Sequence, residues 1–281
     1  MKIWVHTLVK NEERYLWFAV ESVVDYVDRI LLWDTGSTDK TKNIIRLLQK
    51  KHPEKIDTSF LGEVNPEEFT LVRQKMLKQT QSDWFVIVDG DEVWWDDGIK
   101  EVTNFVRQRG NDYESIVNHY FNIVGDIFHH QEEEAGMYKI DGIKGHINIR
   151  FVNRKIPGLC FAKPHGQQGL YDENGILIQE REKTKRYHFD KRMYLHFTNV
   201  IRSSNLKKDW SVPKRNKKLK FELGRSFPFD FYYPEVFFKP KPDIVQSPWE
   251  KRDAEFVFKS ILLYPLKYIK RRIKILEKTG Y

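Results

Sequence analysis

The stretch Trp84-Phe85-Val86-Ile87-Val88-Asp89-Gly90-Asp91-Glu92 sets an unbroken apolar run directly before three carboxylates and a glycine. Such a run predicts a strand buried on both faces, as in a parallel sheet, with its polar end at the edge where open α/β sheets bind ligands. Asp89 and Asp91 stand at i and i+2, and Gly90 between them permits a close, non-helical approach to a ligand. Bare carboxylates would repel a diphosphate, so a divalent cation is needed to bridge the two. Hard oxygen donors suit Mg2+ or Mn2+. The alternative is a solvated acidic turn, and the buried strand in front of the carboxylates favours the functional one. An EF-hand loop is excluded by spacing, because Val93 and Trp94 stand where a third oxygen ligand and a glycine are required.

Outward from this stretch, apolar runs alternate with amphipathic segments, the pattern of strands and helices in an α/β domain. Ile3 to Val9 predicts a buried first strand, followed by a helix from Glu12 to about Tyr26 capped by Asn11. Ile30 to Trp33 predicts a second strand ending in Asp34, then the turn Thr35-Gly36-Ser37 and a helix capped by Thr38 or Asp39. Ile56 to Leu61 gives a third strand, and Pro66 opens a helix to about Gln79. Asp34-Thr35-Gly36-Ser37 copies the aspartic-protease tetrapeptide, but there is one copy and a helix follows it, so that class is set aside. Beyond residue 93 strand and loop signals dominate, with turns expected at Gly142, Gly145, Pro157-Gly158 and Asn174-Gly175.

Together these blocks resemble the family-2 type glycosyltransferases of the GT-A fold. The matching residues are Thr7-Leu8-Val9-Lys10-Asn11-Glu12-Glu13 with Leu16, Asp28, Trp33-Asp34-Thr35-Gly36-Ser37-Thr38-Asp39-Lys40-Thr41, Arg73 and Val88-Asp89-Gly90-Asp91-Glu92. Their order and spacing across about 95 residues are more specific than any single block. The resemblance implies a metal-dependent, inverting transfer of sugar from a nucleotide-diphosphate donor, a UDP-sugar being favoured, to a glycan, lipid-linked or protein acceptor. It implies that Thr7, Leu8 and Glu12 line the base and ribose pocket and that Asp34 accepts a hydrogen bond from the base. Arg73 reaches the base or a phosphate, or is a surface helix cation. Asp89, Gly90 and Asp91 hold the diphosphate through Mn2+ or Mg2+.

Later blocks add to the resemblance. Tyr194-Leu195-His196-Phe197 resembles the late histidine that completes the metal site, with a structural histidine as the alternative. Arg150-Phe151-Val152-Asn153-Arg154 and Lys163-Pro164-His165-Gly166 resemble a strand and acceptor-side loop that in many relatives ends His-Glu. Glycine replaces that glutamate here, leaving His165, Asp172 and Glu173 as candidate bases for the acceptor proton. Trp94 or Trp95 could stack on a sugar, or both could be core.

Composition bounds the rest. The chain has 281 residues, 40% of them hydrophobic, enough for a large folded domain. Cys160 is the one cysteine, which excludes an intrachain disulfide or a thiolate metal cage and points to a reducing compartment. The opening residues are too short and polar for a signal peptide or spanning helix, so a cytoplasmic protein, peripheral at the inner membrane face, is expected. The net charge of +8 is uneven, since residues 205–281 hold 19 Lys or Arg against 9 Asp or Glu.

These observations divide the chain into a catalytic domain at 1–204, with a nucleotide half at 1–92 and an acceptor half at 93–204, and a basic helical extension at 205–281. Within the extension, Asn205 to Pro248 reads as a loosely structured connection. Ala254 to Lys278 reads as a helix interrupted at Pro265. Leu266, Ile269, Ile273 and Leu276 form its apolar stripe, and Lys267, Lys270, Arg271, Arg272 and Lys274 crowd the other faces, which suits an anionic membrane surface or packing on the catalytic domain. A nucleic-acid partner is not expected. A nucleotidyltransferase would open with a glycine-rich loop that Lys10-Asn11-Glu12-Glu13 lacks. A basic nucleic-acid or membrane binding module is the third alternative.

Overall fold

The computed structural model describes residues 1–136, 138–164, 168–204, 220–273 and 278–279. Strand β1 (Ile3–Val9) is buried throughout and lies between two parallel neighbours, β2 (Arg29–Asp34) and β4 (Trp84–Ile87). β3 (Ile56–Phe60) continues the parallel set beyond β2. Their apolar runs are continuous because helices cover both faces. On one face α2 (Thr41–Lys51) buries Ile44, Ile45 and Leu48. On the other, Val72 and Met76 of α3 (Pro66–Gln79) pack on Trp4, Leu8, Leu31 and Trp33.

Helix α1 is much shorter than the expected span from Glu12 to Tyr26, running only Leu16–Glu21. Asn11 does not cap it. Asn11 adopts a left-handed backbone, φ 56°, and its side chain accepts from Thr38 N, so the chain is free to coil only after Tyr15, which is the N-cap. In α2 the N-cap is Lys40 rather than Thr38 or Asp39, although the Asp39 carboxylate accepts from Thr41 N at 2.9 Å.

Beyond β4 come β5 (Glu92–Trp94), α4 (Asp96–Arg109), β6 (Ser115–Val124), β7 (Asp126–His130), β8 (Tyr138–Ile140), β9 (Ile143–Gly145) and β10 (Ile147–Asn153). β10 enters the main sheet antiparallel between β4 and β6. β11 (Cys160–Ala162) and β12 (Gly169–Tyr171) form a separate hairpin. β13 (Arg186–Asn199) runs parallel to β6 and antiparallel to β5, which sets His196 opposite Glu92. Gly142, Gly158 and Gly175 turn the chain as expected, whereas Gly145 pairs with Tyr138 inside β9.

The expected division at residue 204 does not coincide with a break in the core. Residues 220–248 contain only β14 (Arg225–Ser226) and a short 3-10 turn at Glu235–Phe238, yet Val236, Phe237 and Val245 are buried in the main apolar cluster. Phe227, Phe231, Tyr233 and Trp249 interlock there ring against ring. Helix α5 (Ala254–Ile273) runs through Pro265 without interruption. Pro265 is exposed, so the amide it lacks is lost on the outward face. Leu266 and Ile269 are exposed, while Leu276 lies outside the described residues. Among the described residues no helix is long and apolar enough to cross a membrane.

Candidate active site

Because β1, β2 and β4 are parallel, Val9, Asp34 and Asp89 come to one edge of the sheet. The loops after β1 and β2 are stapled together there. Thr35 N donates to Val9 O, Asn11 N to Ser37 Oγ, Thr38 N to Asn11 Oδ1, Glu12 N to Thr41 Oγ1 and Lys40 N to Glu13 Oε2, all at 2.8–2.9 Å. Asp34 is fully buried and serves its own turn, accepting from Gly36 N and Ser37 N at 3.1 Å. Lys42 Nζ stands 4.0 Å from it. Gly36 has φ +89°, and a Cβ there would meet the Gly62 carbonyl at 2.8 Å, so no other residue fits without displacing backbone. Thr7 and Leu8 are buried in β1, Leu8 against the cluster around Trp33, and Thr7 Oγ1 has no hydrogen-bond partner among the described residues.

The carboxylates after β4 meet a set of arginines. Asp89 accepts from Arg73 Nη2 on one oxygen and from Arg150 Nη2 on the other, each at 3.1 Å. Arg150 also pairs closely with Glu92. Arg202 bridges Asp91 and Glu12, at 2.9 Å to the latter. Four acids, Glu12, Asp89, Asp91 and Glu92, thus share three guanidiniums, and all but the half-exposed Asp89 are buried. Gly90 packs against the β1 loop. A Cβ there would lie 2.9 Å from Val9 Cγ1 and 3.1 Å from Glu12 Cβ, so the glycine lets the acidic loop seat on Glu12.

Burial works against ionisation of both Asp89 and Glu92, and the nearby arginines offset it to different extents. For Asp89 burial works against ionisation, but Arg150 and Arg73 outweigh it and hold the carboxyl below the ordinary carboxylate range. For Glu92 burial dominates over the attraction of Arg150 and pushes the carboxyl up to about 7. Arg73 gives only Nη2 to Asp89. Its Nε and Nη1 are buried and have no hydrogen-bond partner among the described residues.

His196 is carried to this edge by the pairing of β13 with β5. Its Nε2 lies 3.6 Å from Asp91 Oδ2 and 3.9 Å from Glu92 Oε1, and its buried Nδ1 has no partner among the described residues. Carboxylate oxygens with an imidazole nitrogen are a donor set that fits Mn2+ or Mg2+. Among the described residues no group of three His, Cys, Asp or Glu side chains forms a metal cage.

The structure therefore brings together Glu12, Arg73, Asp89, Gly90, Asp91 and His196, and adds Glu92, Arg150 and Arg202. Arg150 carried a sequence signal, since it opens one of the blocks quoted above. Arg202 carried none, being one cation at the start of a basic stretch. Asp172 and Glu173 are not part of this cluster. Asp172 accepts from Asn174 N and Ile176 N and pairs with Arg181, which makes it the organiser of a turn, and Glu173 is exposed in that turn. His165 lies outside the described residues. Neither tryptophan offers a platform for a sugar. Trp94 is fully buried and stacked on Tyr194 at 4.7 Å, and Trp95 donates to Tyr232 O within the core.

The chain is similar to known proteins over much of its length. The family described as glycosyl transferase family 2 matches residues 4–163. A TPR repeat-containing protein of Synechococcus elongatus is 24% identical over 179 residues, covering 64% of this chain and 38% of that protein. Among solved structures, S. aureus TarS 1-349 in complex with UDP-GlcNAc has a TM-score of 0.47 at 14% identity, over 73% of this chain and 60% of that one. Mannosyltransferase PcManGT from Pyrobaculum calidifontis, in complex with GDP-Man and Mn2+, has a TM-score of 0.40 at 17% identity, over 55% and 45%. The chain thus spans well under half of the Synechococcus relative and about three fifths of the TarS fragment. With the family pattern covering more than half of its length, on the strands that build the site, the chain belongs to glycosyl transferase family 2 and has its GT-A fold.

Proposed function

We propose that this protein transfers a sugar from a nucleotide-diphosphate donor, a UDP-sugar being favoured, to a hydroxyl of a glycan, lipid-linked or protein acceptor, with inversion at the anomeric carbon. The observation that carries this reading is the arginine and carboxylate cluster at the carboxyl edge of the parallel strands. Arg73, with two buried donors unsatisfied, is suited to a phosphate oxygen or a base carbonyl. Thr7 offers a further unpartnered hydroxyl on the same strand that leads to the site.

Asp91 and His196, with Asp89 beside them, would hold Mn2+ or Mg2+. An ion so held by few protein groups leaves positions for water and the donor phosphates. When bound it would neutralise charge that builds on the leaving diphosphate. The chain's own contribution is positional. Gly90 seats the acidic loop on Glu12, Arg150 fixes Asp89 and Glu92, and the stapled loops after β1 and β2 present a formed wall to the nucleotide. The acceptor proton needs a base, and the turn bonds of Asp172 argue against that residue. His165 is the remaining candidate from the acceptor-side loop, while Glu173 sits exposed on the Asp172 turn.

The test is Asp91→Ala. Metal-dependent turnover of nucleotide sugar is expected to fall roughly a hundredfold or more, in line with loss of one electrostatic contact to the leaving group, with circular dichroism unchanged. Near-normal turnover in a folded variant would remove the assignment. A basic extension against a slightly acidic catalytic part further suggests work at an anionic membrane face.

A further inference from the structure

Helix α5 is held to the body by one face. Ser260 is fully buried, Phe256 packs on Phe221 at 5.2 Å between ring centroids, and Lys267 Nζ donates to Phe221 O at 2.8 Å. These contacts fix the opposite face outward. That face carries Phe258, Ile261, Leu262, Leu266 and Ile269, at i, i+3, i+4, i+8 and i+11, each 53–68% exposed. Five large apolar side chains aligned on one helix face are not scattered surface residues. A contiguous stripe of this kind marks a docking surface.

We propose that this outward face of α5 lies on an anionic phospholipid surface, its apolar stripe entering the acyl boundary and the Lys- and Arg-rich sequence at 270–278 supplying the charge attraction. Charge selects this occupant. Lys259 and Lys267 are paired with Glu255 and Glu222, but from 268 to 278 the sequence holds five further Lys or Arg against one acid, Glu277. A second copy would bring the same positive charge against itself. Nucleic acid would use the cations but gives no reason for the aliphatic face. The helix is 20 residues long but not apolar enough for a membrane span, so in this proposal it lies in the interface plane.

A cleft of about 350 Å3 lined by Tyr15, Ile201, Arg252, Phe256 and Lys259 runs between α5 and the segment that carries Arg202. The cleft lies on the body-facing side of α5, where Phe256 packs, opposite the stripe, so docking through the stripe does not cover it. This docking is independent of the chemistry proposed above, and its test is read without turnover.

The full chain is floated with phosphatidylcholine vesicles with and without phosphatidylglycerol, and compared with a Phe258→Ser/Leu266→Ser variant. Both positions are exposed, so the fold is retained. The wild type is expected to float with the anionic vesicles only, less so as salt is raised, and the double variant to lose partitioning roughly tenfold or more. Metal-dependent donor turnover in solution is expected to be unchanged by the double variant. Absence of flotation overturns the proposal, as does flotation that the double variant leaves intact. Concentration-dependent dimers abolished by the same variant would assign the stripe to a second copy instead.

Discussion

Arg150 is the residue on which the acidic loop depends. It is buried, it touches both Asp89 and Glu92, and no other guanidinium is placed against Glu92 among the described contacts. Breaking a buried pair leaves an uncompensated charge, whereas replacing both members by apolar groups of similar volume can be nearly neutral. Arg150→Met is therefore expected to destabilise the protein by about 3 to 5 kcal/mol in urea unfolding. Adding Glu92→Leu should recover a substantial part of that loss. If the double variant were no better than the single one, the coupling between the two residues would be absent. Neither partner was legible as such in the sequence. Arg150 and Glu92 are 58 residues apart, and Arg202 and Asp91 are 111 apart. A charge pair of that separation leaves no local pattern, so only the topology reveals it.

At the scale of the element, β1 shows how a strand can carry both structure and site. His6 stacks on Phe85 at 4.6 Å, and its Nε2 is 2.6 Å from Thr80 Oγ1 at the end of α3. Burial, with a smaller repulsion from Arg73, lowers its pKa to about 3. An unfolded histidine titrates near pH 6.5. Below that pH the unfolded chain takes up a proton that the folded one refuses, so stability present above 6.5 is lost as the pH falls toward 3. Between pH 6.5 and 5 the loss is on the order of 2 kcal/mol. Urea melts of the wild type and His6→Gln across this window test it, the variant being expected to show the shallower slope.

The parallel strands β1, β2, β3 and β4 were legible within a residue or so at their ends, because strands buried on both faces announce themselves as apolar runs. α3 was legible from Pro66, which opens the helix, and the structure adds a capping box between Asn65 and Glu68. α1 was not, since its apolar face reads as a long helix while its length is set by bonds from Asn11, Glu12 and Glu13 to a loop about 27 residues away.

For the whole molecule, the aromatic residues after 220 matter more than their irregular backbone suggests. Phe227, Phe231 and Tyr233 join Trp95 and Phe121 of the central body. Lysine and proline density hid this in the sequence, because composition describes surface more readily than burial. A chain ended at residue 219 would uncover this cluster along with Val236, Phe237 and Val245. Each large core side chain removed costs about 3 kcal/mol, against a total of about 5 to 15 kcal/mol. Such a chain is expected to give no cooperative thermal transition by circular dichroism. A sharp transition at the full-length temperature would mean that the core closes at residue 204 after all.

The stapling of the first two loops has a thermodynamic consequence for any ligand that meets them. Asn11, Glu12, Glu13, Ser37, Thr38 and Thr41 have already lost their conformational freedom in forming those bonds, so that entropy is not charged again on association. Affinity on this wall is then governed by complementarity of shape and hydrogen bonding. Ordering on association would fall instead on groups outside the wall.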